Sequence, residues 1–212
     1  MIDLHVHSSY SDGTAGVEEI ARKAREMRLK AIAIVDHSIE LHFGLTESKA
    51  KLRQIDIDNA SSLYGLKIYS GIECGINAIG EISLPDFDFD FVIASVHEPV
   101  YGEDYYRRLL GCMERYEEVD VIGHPFSKLF GFDGRMAELD EKVLDVAEQL
   151  GIAIEVNSSH KSPPDHFLEL CRGRKILYSV GSDAHTLAKI GDVGWSFEKA
   201  KKYMTGAKLF NP

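Results

Sequence analysis

Ile2-Asp3-Leu4-His5-Val6-His7 opens the chain with a period of two, the mark of a β-strand. Successive side chains of a strand point to opposite faces, so Ile2, Leu4 and Val6 share one face and Asp3, His5 and His7 the other. Two imidazoles then stand side by side, which is costly in an interior unless a divalent metal or a similar partner satisfies them. A helical period follows in Gly16–Arg28, where Val17, Ile20, Ala21, Ala24 and Met27 fall on one face. Ala31–Val35 is the next apolar, β-rich run, so the first 35 residues read as one βαβ unit and imply a parallel sheet.

The pattern repeats outward from that unit. Further strands are expected at Lys67–Ile72, Phe91–Val96, Val119–Ile122, Ile152–Val156 and Ile176–Val180. Helices are expected at Thr46–Tyr64, Glu103–Tyr116, Asp140–Leu150, Pro164–Cys171 and, after the last strand, Ser196–Met204. Seven strands in 212 residues give about 30 residues per unit, the usual size. An open doubly wound sheet and a small barrel both fit, and no eighth strand is evident. Ile79-Gly80-Glu81-Ile82-Ser83-Leu84 alternates and reads as a short hairpin within a local insertion. No repeat or linker divides the chain, so residues 1–212 are expected to form one domain.

Composition narrows the function. Hydrophobic residues make up 44% and charged residues 27%, the mix of an ordinary globular protein. The formal net charge of -10 lacks the basic footprint of a non-specific nucleic-acid binder. No apolar run approaches the roughly 18 residues of a membrane span, and the N-terminal residues lack the regions of a signal peptide. Three cysteines without a CxxC pair point to a reducing cytoplasm and buried thiols.

The nine histidines carry more information. Each of the other expected strands but Ile152–Val156 runs into a residue of ligand type: Asp36-His37, Glu73, His97, Gly123-His124-Pro125 and Gly181-Ser182-Asp183-Ala184-His185. In parallel α/β proteins the carboxyl ends of the strands are where sites are built. Six strands that deliver His, Asp or Glu to one edge point to a metal centre. The mixed His/carboxylate set, without thiolates, suits Zn, Mn or Fe better than Mg.

His5-Val6-His7-Ser8-Ser9-Tyr10-Ser11-Asp12-Gly13, Val35-Asp36-His37, Gly71-Ile72-Glu73, Ser95-Val96-His97, Gly123-His124-Pro125 and Gly181-Ser182-Asp183-Ala184-His185 closely resemble the motifs of the PHP (polymerase and histidinol phosphatase) superfamily. The resemblance runs from residue 5 to about 195. It implies a distorted (β/α)7 barrel of the TIM-like PHP type, a trinuclear metal site and phosphoesterase chemistry. Carried over residue by residue, it implies that His5, His7, Glu73 and Asp183 hold one metal. Glu73, His97 and His124 would hold a second with Glu73 bridging, and Asp12, His37 and His185 a third. A bridging carboxylate holds two cations roughly 3.5–4 Å apart, the spacing that serves in-line displacement at phosphorus.

The expected enzyme is therefore a metal-dependent hydrolase of phosphate esters, with two to three divalent ions (Zn, Mn or Fe) and a small phosphorylated metabolite or nucleotide as substrate. Glu73, His97, Asp183 and Lys128 are the expected catalytic residues. Lys128, Arg135 and Lys161 are candidates to meet phosphate charge, Asn157 to position a substrate oxygen, and His42 to line the pocket. Asp36 reads as a partner that orients an imidazole. His160 and His166 read as surface residues or, for His160 first, as substrate contacts. The acidic balance speaks against nucleic acid. Two other readings stay open: a C–N hydrolase of amidohydrolase type, and a non-catalytic metal-binding module.

Overall fold

A computed structural model describes residues 1–212. Eight parallel strands lie side by side in chain order: β1 Ile2–Val6, β2 Ala31–His37, β3 Lys67–Gly75, β4 Phe91–Ser95, β5 Val121–Ile122, β6 Ala153–Asn157, β7 Leu177–Gly181 and β8 Lys208–Leu209. Six helices connect them: α1 Val17–Glu26, α2 Glu47–Tyr64, α3 Gly102–Arg115, α4 Ala137–Leu150, α5 Asp165–Leu170 and α6 Gly194–Tyr203. The sheet curls until β1 meets the end of β7. There the Asp183 amide donates to the His5 carbonyl at 2.8 Å and the His7 amide to the Ala184 carbonyl at 3.0 Å. The architecture is the expected distorted barrel. No helix is long and apolar enough to cross a membrane.

Two differences from the sequence reading have physical causes. The eighth strand is two residues long with exposed side chains, so no apolar run announces it. It pairs with β7, and the adjoining Phe210 ring lies 5.6 Å from that of Phe91 at the amino-terminal end of the barrel. Ile79–Leu84 forms no hairpin. β3 already has β2 on one side and β4 on the other, so it offers no free edge. Instead the Asn77 side chain accepts hydrogen bonds from the amides of Ile79 and Glu81, and Gly80 takes a left-handed φ of +77° that closes the turn.

Each strand divides its residues between two environments. On β2, Ile32 and Ile34 face outward and pack with Val17, Ile20, Ala21 and Ala24 of α1. Ala31, Ala33 and Val35 face inward and join Leu4, Phe91, Ile93, Val121 and Ala153 in the barrel core. Burying a Val, Leu, Ile or Phe side chain there contributes about 1.5–3 kcal/mol. The inward rows are apolar at the start of a strand and ligating at its end: Ala31, Ala33, Val35, His37 on β2, and Phe91, Ile93, Ser95 and then His97 on β4 and just past it.

β1 breaks the simple alternation. Its register against β2 shifts between Asp3 and Val6, so one extra residue is inserted there. Leu4 packs in the barrel core, whereas Val6 packs outward against α1. The shift turns both His5 and His7 inward above Leu4.

Candidate metal centre

Glu73, at the end of β3 and 1% exposed, is the hub of the carboxyl end of the barrel. Its Oε1 lies 2.9 Å from His124 Nε2 and 3.1 Å from His97 Nε2. Its Oε2 lies 3.1 Å from His37 Nδ1, 3.5 Å from His5 Nε2 and 3.6 Å from His7 Nε2. Asp183 Oδ1 completes that side, 3.2 Å from His7 Nε2 and 3.9 Å from His5 Nε2. Asp12 stands across the mouth, with Oδ2 at 3.3 Å from His185 Nε2 and 3.6 Å from His37 Nε2. All nine side chains singled out as metal ligands thus converge on one end of the barrel. His7 faces two ways: its Nε2 meets His5 and Asp183, while its Nδ1 lies 3.5 Å from Asp12 Oδ1.

The backbone is shaped to deliver these groups. Gly181 has no room for a side chain, since a Cβ there would lie 2.4 Å from Glu155 Oε1 and 2.5 Å from the His5 Cβ. A Cβ on Gly123 would strike Ser95 Oγ. His124 and Asp183 both adopt positive φ, 25° and 53°, a conformation that costs energy for a residue with a side chain and clusters at functional sites.

Charge is tuned by proximity. Burial alone would push the Glu73 carboxyl up, but the imidazoles of His97, His5 and His37 outweigh it and hold it well below the usual carboxylate range. Burial also opposes ionisation of Asp12, yet the His185 hydrogen bond and the charges of His7 and His37 bring it to about 2. Burial lowers His37 to about 4. Burial also lowers His5, His97 and His185, but their neighbouring carboxylates win and raise all three.

The donor set fits divalent cations. His7 Nδ1 and His37 Nδ1 are buried without a hydrogen-bond partner; His37 Nδ1 is close to Glu73 Oε2 but off the hydrogen-bond axis. Buried polar atoms are rarely left so. Ligating atoms gather within 4.8 Å of one another in four overlapping sets: His7, Asp12, His37 and His185; His5, His7 and Asp183; His37, Glu73 and His97; and His124, His160 and Asp183.

Two contributors were missed or undervalued in the sequence. Glu155 on β6 is fully buried, lies 2.8 Å from His5 Nδ1 and accepts the His124 amide at 2.7 Å. Its signal was a charged residue alternating with Asn157 in an otherwise apolar strand. His160, read first as a surface residue, has its Nε2 3.0 Å from Asp183 Oδ2.

Other expected site residues make contacts different from those expected. Asp36 orients no imidazole. It accepts from Ser8, Ser11 and Arg53 and so anchors the turn that carries Asp12. The Asn157 side chain is engaged with Glu155, Asp183 and the His160 amide. Arg135 pairs with Asp140, and Lys161 lies over the Trp195 ring. His42 is exposed against Phe43. Lys128 is exposed on a 3₁₀ turn, Lys128–Phe130. Lys128 and Arg135 both act, after burial, to lower His166. The three cysteines are free and buried, and burial pushes their thiols up, to about 12 for Cys112 and Cys171.

The centre opens into a cavity of about 330 Å³. Beside the ligating side chains, its walls are Leu41, Phe43, Phe130 and His160, with no lysine or arginine among them.

Comparison with known proteins bears on family and fold. The family model described as PHP domain matches residues 3–159. The chain is 27% identical over 220 residues to the DNA polymerase/3'-5' exonuclease PolX of Bacillus subtilis, covering 97% of this chain but only 38% of PolX. It is 29% identical over 224 residues to a "Probable phosphatase" of Aliivibrio fischeri, covering 96% of this chain and 85% of that protein. A solved structure from Bifidobacterium adolescentis, described as a "putative metal-dependent phosphoesterase", shares the fold at a TM-score of 0.53 and 14% identity, covering 98% of this chain and 96% of the other.

Proposed function

The chain belongs to the PHP domain family, and from that premise we propose that it is a metal-dependent phosphoesterase that hydrolyses a small phosphorylated molecule at a three-cation centre. One observation carries the reading: a buried carboxylate, Glu73, ringed by His5, His7, His37, His97 and His124 with no permanent cation beside it.

His5, His7, Glu73 and Asp183 would hold one cation. Glu73, His97 and His124 would hold a second, and Asp12, His37 and His185 a third. Divalent cations held there supply electrophilic assistance to a phosphoryl oxygen and acidify water at neutral pH. The chain's own residues supply the frame. Glu155 accepts from His5 Nδ1 and leaves His5 Nε2 free to face Glu73. Ser95 Oγ donates to Glu73 Oε1 at 2.7 Å and fixes the carboxylate. Leu41, Phe43 and Phe130 keep water from the walls and offer apolar surface to the organic part of the substrate. No lysine or arginine lines the cavity, so the phosphoryl charge falls to the cations rather than to Lys128 or Arg135. The net charge of -10 favours a small substrate over nucleic acid.

The test is metal analysis of the purified chain, then a panel of phosphomonoesters, phosphodiesters and amides. Two to three equivalents of Zn, Mn or Fe with phosphoester turnover are expected. Less than one equivalent, or amide hydrolysis with none of phosphoesters, overturns the reading.

A further inference from the structure

The loop after β6 brings one more imidazole to the centre. His160 Nδ1 lies 2.6 Å from Ser127 Oγ, and its amide donates to Asn157 Oδ1 at 3.0 Å. Its ring stacks on His124 at 4.3 Å and 18° and lies 5.1 Å from the Phe130 ring. These contacts fix one ring orientation, with Nε2 toward Asp183 Oδ2 and the cavity.

We propose that His160 is a tenth protein ligand of the centre, joining His124 and Asp183 on a cation shared with Glu73 and His97. The inference rests on the reading of the centre as a metal site. Three observations support it. The ligating atoms of His124, His160 and Asp183 lie within 4.8 Å of one another. The two oxygens of Asp183 face different partners, Oδ1 toward His7 and His5 and Oδ2 toward His160, so this carboxylate can serve two cations. His160 also has the arrangement of His5: Nδ1 against a protein oxygen, Nε2 into the site. A metal-ligating imidazole characteristically donates its other ring N–H to a protein or water oxygen, which fixes the tautomer. Without His160, the cation at Glu73, His97 and His124 has three protein donors; with it and Asp183, the set suits Zn, Mn or Fe and holds the ion more tightly.

The test uses the full-length chain loaded with Zn(II) or Co(II). His160→Phe keeps a ring in the stack with His124 and Phe130 but removes Nε2. It should lose about one equivalent, or bind one cation at least on the order of 10–100-fold more weakly in chelator competition, the scale set by losing a ligand's hydrogen-bond partner. Its Co(II) visible spectrum should change, while the melting temperature of the metal-free form stays near that of the parent. Ser127→Ala should weaken the same cation by less, and exposed His166→Ala should leave stoichiometry, affinity and spectrum unchanged. Ring-nitrogen NMR of the zinc-loaded parent gives an answer even if His160→Phe does not fold: His160 Nε2 should shift on loading. A parent that loads fully, with an unshifted His160 Nε2 or an unaltered spectrum and affinity in His160→Phe, overturns the role of His160 alone. A parent that binds no metal overturns the centre as well.

Discussion

Asp36 and Glu73 are both buried carboxylates at the ends of neighbouring strands, and their surroundings could hardly differ more. Asp36 lies on the outward face of β2. It accepts from Arg53 Nη1 at 2.9 Å, the Ser8 amide at 2.8 Å and Ser11 Oγ at 2.7 Å. One permanent cation and two serines leave it satisfied. Burial pushes its carboxyl up, but Arg53 outweighs that and holds it below the usual range. Glu73 lies on the inward face among five imidazoles whose charge depends on protonation, with Ser95 as its only hydroxyl donor. A buried carboxylate with its own guanidinium is scaffold; one ringed by imidazoles alone is prepared for a metal. The alternation of a strand is enough to separate the roles, since His37, next to Asp36 in sequence, faces Glu73 instead.

The largest expected effect tests the scaffold side. Arg53→Met leaves Asp36 buried without its cation and should lower stability by about 3–5 kcal/mol, read by urea unfolding at neutral pH. The sign of the pH dependence follows from the depressed Asp36 value. The pair stabilises fully above the unfolded pKa of about 3.9 and loses that contribution as pH falls through the folded value. The gap between parent and variant should therefore narrow in acid. A gap that stays constant or widens would break the comparison.

Glu73→Gln tests the other side. It should release at least one cation and slow phosphoester hydrolysis on the order of 10²-fold or more. The metal-free melting temperature should stay near that of the parent, because the barrel core lies below the site. Full metal occupancy with near-normal activity would refute the role of Glu73 as hub.

The third effect is protonic. His5, His97 and His185 are raised in the metal-free chain by their neighbouring carboxylates, so a cation competes with protons there at a higher pH than at free imidazoles, whereas His37 is lowered to about 4. Metal binding should release protons and weaken as pH falls. Calorimetry in two buffers of different ionisation heat measures this, and a heat independent of buffer would contradict it.

The smallest effects should come from Lys128→Ala, Arg135→Gln and Lys161→Ala. None of these residues lines the cavity. Each change should move kcat/KM by no more than about 2–3-fold, the scale of a surface substitution. A loss of tenfold or more for Lys128→Ala would return a basic side chain to the site and blunt the contrast between Glu73 and Asp36.

Much of the centre was legible because its ligands sit where local patterns end. A short apolar, β-rich run that stops at His37, Glu73 or His97 needs only strand geometry to be read. Arg53 was not legible as the partner of Asp36. It lies in the middle of α2, and only the packing of that helix on β2 and β3 brings its guanidinium to Asp36, Ser70 and the Gly71 carbonyl. His160 was not legible either, because a histidine three residues beyond a strand reads as a loop residue until Ser127, His124 and Phe130 are seen to fix its ring.

The sequence by itself determined the order of seven strands and six helices, the parallel sheet and the edge on which the chemistry lies. Each of these follows from short-range periodicity and from residue type at the end of a run, whereas the nine-ligand set was what the resemblance of its motifs to the PHP superfamily implied. Tertiary structure alone decided which face His5 takes, through the extra residue in β1, and that β8 seals the far end. It also decided that Glu155 and His160 lie against His5 and Asp183, while Arg135 pairs with Asp140 and Lys161 lies over the Trp195 ring. Apart from the Arg135–Asp140 pair, those outcomes depend on contacts between segments tens of residues apart or more, where the packing of one element on another, rather than any local pattern, fixes where a side chain ends.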